Sequence, residues 1–560
     1  MGSPLNTCSK PFWFFMSISR HSALAVFMLL AISLIPCTGS AAEPLYQQID
    51  KLIAARHENF SSFVSGDTSD AAFLRRLYLD LIGSVPPLKV TKAFIASTDP
   101  DKRTIVVDQL LDSPEYANNM QRVFDVILME RRGDKVISDE PWKEYLRKSF
   151  ANNKPLSDMV GEMLGADGSD ESLRPAAKFY LDRGGETNLL TRDIGRLFLG
   201  VNLQCAQCHD HPLVLDYFQE DYYGIFAFLN RSYLFTDKAK KVFFAEKAEG
   251  DVSFVSVFDP DKKEYKTGPR LPGLEEIKEP TFEKGEEYQV KPEDGIRPIP
   301  KYSRRAELAR LLPSKQNTLF KRNMANRIWA LMMGRGIVHP LDFHHEDNPP
   351  SHPKLLNVLA EQFATTNFDI KSLLRQIALS QTYQRSSLPS ENLPSEMETF
   401  AVAPLKPLSA EQLAMSMMQV TGYRDFQQAS LKDPMDKGAL DKIQQKNINT
   451  FVSIFGSAEG VPEDGIQPTM NQALFLSNGA LVRSWLQPQP GNLIDQINQI
   501  SDSEQLAKEL FLSVLIRLPD EEEKLQVTAY LNQVNGEDRT GALQELAWAL
   551  MTSTEFRFNH

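Results

Sequence analysis

The sequence predicts a mainly α-helical protein in which two helical domains are joined by a small β-containing, charged and proline-rich insertion. Two observations lead to this fold class. Apolar residues recur with helical spacing over most of residues 45–230 and again over 301–560, with capping residues beside the runs. Residues 231–300 instead contain 28 charged residues and seven prolines, with short β-branched and aromatic runs. We therefore expect two helical domains at 45–230 and 301–560, separated by the insertion and linker.

The N-terminus has the features of a secretory signal peptide. Lys10 and Arg20 precede an apolar run at residues 23–36, and the small residues Ala41 and Ala42 follow. This order predicts cleavage after residue 42. An uncleaved anchor is the alternative, although a membrane span needs about 20 apolar residues. We expect an exported protein, periplasmic or at the cell surface, with no membrane span after cleavage.

The first helical domain is predicted from apolar periodicity and from start and stop signals. Ser113 before Pro114 is a typical N-cap with proline in the first turn of the next helix. Gly83 and the prolines that follow it end an earlier helix. The other helices predicted here span residues 73–81, 101–111, 142–150, 156–164 and 190–199.

The insertion contains one segment of clear strand character. Residues 252–258 read Val-Ser-Phe-Val-Ser-Val-Phe, which favours a strand. Residues 241–245 could pair with it across a turn at 249–251. We expect the rest of the insertion to be an extended, solvated connection.

The helical pattern returns after the insertion. The helices predicted there span residues 305–312, 319–333, 355–363, 370–379, 410–420, 471–486, 505–515 and 543–551. A short Ser-x-x-aromatic pattern also recurs after helix ends, at Ser113 and Tyr116, Ser380 and Tyr383, and Ser553 and Phe556. We interpret it as a helix cap followed by an aromatic residue that packs in the core.

The strongest chemical signal is Cys205-Ala-Gln-Cys208-His209. In an exported chain this spacing is the attachment sequence of c-type haem, because two thiols on one turn reach the two vinyl groups of one porphyrin. His209 would then be the axial ligand of the iron. Cys205 and Cys208 are the only cysteines outside the signal peptide, so a disulfide framework is not expected.

Other interpretations of this motif stay open. A zinc site would need two further ligands, and His209 with His211 could supply them. A redox dithiol or a local disulfide would use the two thiols alone, although the βαβ context of thioredoxin-like motifs is missing.

The residues after the motif are candidates for supporting roles. Asp210 and His211 could hold the axial histidine in place, but His211 follows the proximal ligand too closely to reach the opposite face of one ring. A second polar cluster spans residues 339–353 and contains four histidines, of which His352 opens a predicted helix. This cluster and the methionines, such as Met324, Met332 and Met333, are candidate sources of a distal haem ligand.

Several separate blocks resemble one family. The chain resembles large exported planctomycete proteins that carry a cytochrome c-like domain of unknown function, followed by a second planctomycete domain of unknown function. The matching blocks lie at residues 73–83, 200–212, 221–223, 305–310, 326–329, 334–336, 342–343, 350–353, 408–412, 472–474 and 553–556. The resemblance implies the cytochrome c-like description and no established reaction. His339, His344 and His345 depart from the family pattern, whereas His352 matches it.

The sequence therefore predicts an exported protein with one covalent haem c, acting in periplasmic electron transfer or in redox support of a partner enzyme. A cell-surface helical scaffold with a zinc or dithiol site is the alternative. A hydrolase of polysaccharide-related material is a third, without a supporting motif. The formal charge of −12 argues against a nucleic-acid partner. Whether the protein is an enzyme, and its oligomeric state, are left undecided.

Overall fold

The computed structural model describes residues 43–389, 399–433, 435, 437–463, 468–534 and 538–560. The predicted signal peptide at residues 1–42 lies outside these residues. Among them, the chain is mainly helical and its strands form small two-stranded sheets. This confirms the predicted fold class. No helix of the described part is long and apolar enough to cross a membrane.

The first half is a succession of helices joined by short turns. They are α1 Leu45–Ala54, α2 Phe60–Phe63, α3 Asp70–Leu81, α4 Leu88–Ala96, α5 Lys102–Leu111, α6 Pro114–Met129, α7 Asp139–Ala151, α8 Leu156–Gly165, α9 Lys178–Leu181, α10 Thr187–Ile194 and α11 Gln219–Leu229. A 3-10 helix at Arg174–Ala177 precedes α9. The helix predicted at 190–199 is instead α10 followed by a π turn at Gly195–Leu199, which ends where Gly200 adopts φ +72°.

The insertion forms three small antiparallel hairpins. Its strands are β1 Ser232–Thr236, β2 Val242–Glu246, β3 Val252–Phe254, β4 Tyr265–Thr267, β5 Tyr288–Val290 and β6 Ile299–Pro300, paired in sequence order. The predicted pairing of 241–245 with 252–258 is wrong, because β2 pairs with β1 and β3 with β4. Asp237 closes the first hairpin: its carboxylate accepts a bond from the Lys241 amide at 2.8 Å.

The second half is helical again and ends on a short strand. Its elements are α12 Arg304–Leu311, α13 Thr318–Met333, α14 Pro353–Thr365, α15 Ile370–Leu379, β7 Lys406–Pro407, α16 Ala410–Val420, α17 Tyr423–Ser430, α18 Lys437–Phe455, α19 Met470–Asn478, α20 Ala480–Trp485, α21 Leu493–Asn498, α22 Ser503–Val514, α23 Glu521–Asn532, α24 Arg539–Thr552, α25 Thr554–Arg557 and β8 Phe558–Asn559. The helix predicted at 471–486 is divided at Gly479 into α19 and α20.

The recurring Ser-x-x-aromatic pattern has the structure predicted for it. In each case the serine hydroxyl accepts a hydrogen bond from the amide of the aromatic residue three positions later, at 3.2 Å. The three aromatic side chains are almost completely buried. The pattern is therefore a structural cap and not a binding feature.

Two apolar cores hold the described residues together. The first contains side chains from α1 through residue 401, so that α12 to α15 pack with helices of the first half. The second contains side chains from residues 408–556 and also Leu79 and Val85 from the first half. The boundaries predicted for the two helical domains stay a prediction.

Candidate functional site

The Cys-x-x-Cys-His segment lies directly after the π turn. The Val201 amide donates to the carbonyl of Gly195 at 3.0 Å, which closes the end of the turn. Residues Cys205–Gln207 then form a 3-10 turn, and the Cys208 amide donates to the Cys205 carbonyl at 3.2 Å. Both thiols are free and exposed, so one turn presents them together to solvent.

Contacts with α11 and with the insertion hold this turn in place. Ala206 is fully buried. The Gln207 carbonyl accepts a bond from the Tyr223 hydroxyl at 3.1 Å, and Gln219 reaches the same carbonyl at 3.4 Å. The Cys208 carbonyl accepts from the amide of Val257 in the insertion at 3.0 Å. The turn is thus fixed by α11 and by the insertion while its thiols remain accessible.

The geometry of His209 leaves one ring nitrogen available as a ligand. Its Nδ1 lies 2.6 Å from the carbonyl oxygen of Asp210. Because a carbonyl only accepts hydrogen bonds, we assign the proton to Nδ1, and Nε2 then carries the lone pair that a metal needs. The ring packs against Phe258 at 4.4 Å between centroids. The Asp210 carboxylate accepts from the Gln219 amide at 2.7 Å and so fixes the start of α11 beside the motif.

His211 has the opposite proton arrangement. Its Nδ1 accepts bonds from the amides of Leu213 at 3.2 Å and Val214 at 2.9 Å. The proton therefore lies on Nε2, which makes this ring a donor and not a ligand. Burial lowers the pKa of His211, and so do His345 and His209 nearby, which favours the neutral ring.

Exposed apolar side chains lie in the loop after the motif and in the segment of the insertion that contacts Cys208 and His209. We name this group the apolar collar, and its members are Leu213, Leu215, Phe218, Val257 and Phe258, each between 49% and 80% exposed. Exposed apolar side chains gathered around one feature are typical of a surface that another group covers. The collar joins the loop after the motif to the segment of the insertion that contacts Cys208.

A segment from the second half contacts the chain both before and after the motif. We name residues 339–348 the strap. Its Phe343 pairs with Val201, and the His344 amide donates to the carbonyl of Gly200 at 3.0 Å. On the other side, the hydroxyl of Tyr217 donates to the His344 carbonyl at 3.2 Å. The strap therefore contacts the chain before and after the thiols.

Asp342 anchors the strap. Its carboxylate forms ion pairs with Arg196 of the π turn and with Arg327 of α13. All three side chains are at most 15% exposed. Sequence analysis noted residues 342–343 as a family-matching block but missed the role of Asp342, since an acidic residue in a polar loop does not reveal which arginines it binds.

Of the predicted sources of a distal ligand, His352 and the methionines lie elsewhere in the fold, whereas residues 339–348 contact the chain on both sides of the motif. His352 precedes α14 and packs against Phe400 at 5.4 Å, and burial lowers its pKa to about 4. Met324, Met332 and Met333 are buried in the first core. The structure thus brings Cys205, Cys208, His209, Asp210 and His211 together, but its contacts place His352 with Phe400.

Asp221 is a further titratable group beside the motif; sequence analysis placed it in a family-matching block but predicted no role for it. It lies in the first turn of α11 and is 7% exposed. Burial raises its pKa to about 6, although Arg270 at 3.2 Å opposes the shift. This carboxyl therefore changes its charge in the mildly acidic range.

The described residues contain no preformed set of ligands for the zinc site that was the alternative interpretation of the motif. Across the described ranges, no group of three or more His, Cys, Asp or Glu side chains is arranged to hold a metal ion. A structural zinc site uses four such ligands. Zinc binding at Cys205 and Cys208 would therefore require the surrounding loops to rearrange.

Comparison with known families gives two matches. Residues 48–233 match the family model PSCyt2, described as a protein of unknown function (DUF1549), and residues 304–531 match PSD1, described as a protein of unknown function (DUF1553). No curated protein and no solved structure matches the chain. The predicted pair of domains of unknown function is confirmed, whereas the cytochrome c-like character stays a prediction. The chain thus contains a region similar to the DUF1549 family, followed after the insertion by a region similar to the DUF1553 family.

Proposed function

We propose that this protein is an exported c-type haem protein that carries electrons in the periplasm or supports a redox partner enzyme. The observation that carries the proposal is the pairing of two free, exposed thiols on one turn with an imidazole whose Nε2 is available. Cys205 and Cys208 would bond the cofactor, and His209 would bind its iron. When bound, the haem supplies a one-electron Fe(III)/Fe(II) couple.

The attachment chemistry balances without another reactant. Each thiol adds across one vinyl group, so the sulfur bonds to one carbon and the proton goes to the other. Two carbon–sulfur bonds form, and no oxidant or reductant is consumed. Exposure of Cys205 and Cys208 gives the attaching enzyme access to both sulfurs.

The surroundings of the motif support the same assignment. The Asp210 carbonyl orients His209 in the way that backbone carbonyls orient metal-binding histidines. The apolar collar would be covered by a flat apolar macrocycle, which gains about 25 cal/mol for each Å² removed from water. A zinc ion or a dithiol would leave that collar exposed.

The partner and the location follow from the same proposal. Covalent attachment of haem would take place after export, directed by residues 1–42. The partner would be a periplasmic redox protein.

The test is expression of the full chain, with residues 1–42, in a host competent for cytochrome c maturation. We expect one haem per chain that remains attached in denaturant, measured by the pyridine haemochrome spectrum. The double variant C205A/C208A should lose it completely, whereas His352→Gln, as a control histidine, should retain it. A colourless protein whose two thiols can be alkylated would refute the proposal. Stoichiometric zinc would support the scaffold alternative.

A further inference from the structure

The haem proposal leaves the second axial ligand of the iron unassigned. The contacts of the described residues exclude several candidate side chains. Met324, Met332 and Met333 are at most 5% exposed within the first core. His352 packs against Phe400. None of these side chains could reach a cofactor on the exposed thiols without opening the core.

Two of the nearer histidines are excluded by their own contacts. His211 accepts two backbone hydrogen bonds at Nδ1, so its Nε2 carries a proton and has no lone pair to offer. His344 is packed on the backbone: a Cβ on Gly200 would lie 2.6 Å from the Cδ2 of His344 and 2.8 Å from the Oδ1 of Asn323. Movement of His344 would break the packing that holds the strap on the π turn.

His345 has neither restriction. Its ring makes a T-shaped contact with Tyr217 at 5.6 Å between centroids, and Tyr217 makes a second T-shaped contact with the ring of His211 at 5.9 Å. Among the described residues, the Nδ1 of His345 is buried without a hydrogen-bond partner; the Nε2 of His344 is too, but the packing of that ring on Gly200 holds it in place. A ring nitrogen without a hydrogen-bond partner therefore lies two aromatic contacts from His211, in the same loop as His209.

The backbone that carries His345 is fixed on both sides. Asp342 binds Arg196 and Arg327, and the Glu346 amide donates to the carboxylate of Asp216 at 3.2 Å. The strap is thus held beside the motif, and the movement that ligation requires is a rotation of the His345 side chain on a fixed backbone. This lowers the conformational entropy lost when a ligand is fixed.

We propose that His345 supplies the second axial ligand of the haem iron, so that the second half of the chain completes the site. This inference rests on the proposed function. Two imidazole ligands predict a low-spin iron, and they predict a lower reduction potential than histidine with methionine, because methionine ligation raises the potential.

The experiment uses the full haem-loaded chain and its visible and electron paramagnetic resonance spectra. We expect a low-spin ferric spectrum for the unmodified protein and a high-spin spectrum for His345→Ala, with haem content unchanged. Added imidazole should restore the low-spin spectrum of His345→Ala. His345→Met should stay low-spin with a more positive potential. His57→Ala, which changes a histidine that packs against Phe63, is the control and should leave the spectrum unchanged.

The outcomes separate the two proposals. A chain without covalent haem would overturn both of them. Attached haem with the same low-spin spectrum in His345→Ala would overturn only the assignment of His345. Attached haem that is high-spin in the unmodified protein would also overturn only the assignment of His345. Circular dichroism and urea unfolding verify that each variant is folded, and the imidazole rescue identifies the loss of a ligand even if His345→Ala is less stable.

Discussion

We expect Asp80→Asn to destabilise the protein by about 3–5 kcal/mol, because it removes one charge of a buried ion pair. Asp80 lies near the end of α3 and is 4% exposed. One oxygen of its carboxylate accepts from Lys406 at 2.5 Å and from Asn559 at 2.8 Å, and the other accepts from the Tyr383 hydroxyl at 2.8 Å. The substitution leaves Lys406 charged, with the carbonyls at the end of α13 as its other partners.

The expected loss of stability depends on how deeply the ion pair is buried and not on the distance between its charged atoms. The pair Lys92–Glu509 has almost the same separation, 2.6 Å, but the Lys92 side chain is 48% exposed. Exposed pairs contribute about 0–1 kcal/mol, so Lys92→Met should change stability by no more than that. The two variants therefore compare the same interaction in a buried and an exposed setting.

The assay is urea unfolding at pH 7, followed by circular dichroism and tryptophan fluorescence. The double variant D80N/K406M should be more stable than Asp80→Asn alone, since it removes the unpaired ammonium as well. If Asp80→Asn lowers the urea midpoint no further than Lys92→Met does, the reasoning about the buried pair is refuted.

Two further predictions concern the neighbourhood of the motif. Burial raises the pKa of Asp221 to about 6, so between pH 4 and 6 the folded state binds more protons than the unfolded state, and stability should fall by about 2 kcal/mol as pH rises over that range. Asp221→Asn should flatten this slope in urea titrations, whereas Glu220→Gln, at an exposed neighbour, should not; equal slopes would contradict the assignment. Gly200→Ala should cost more than Gly184→Ala, although both glycines have φ near +70°, because a Cβ meets His344 and Asn323 at Gly200 and meets nothing within 4 Å at Gly184. A smaller loss of thermal stability at Gly200 would show that the strap does not pack as described.

Sequence analysis predicted the features that depend on local chemistry. Ser113 caps α6 as expected, and Gly83, predicted to end a helix, lies just after α3 in the left-handed conformation. These succeed because a cap needs only a side-chain oxygen or a missing Cβ within one turn of the chain. The Cys-x-x-Cys-His motif was visible for the same reason.

Features that depend on distant partners were not predicted. The hairpin pairing failed because residues 241–245 and 252–258 are compatible strands, and the choice depends on the turn that Asp237 closes. The strap was missed because its partners lie about 140 residues earlier in the chain, at Gly200 and Val201. A polar loop has no periodicity that could reveal such a contact.

The shared first core has a consequence for how the polypeptide acquires its structure. Leu308 and Phe320 belong to the same core as Phe73 and Leu146, so segments more than 150 residues apart have to meet before that core closes. Closure of such long loops carries an entropic cost before any contact compensates it. Because a chain is synthesised from its N-terminus, the leading half would stay incompletely assembled until the trailing helices are available, and would need protection from aggregation during that interval.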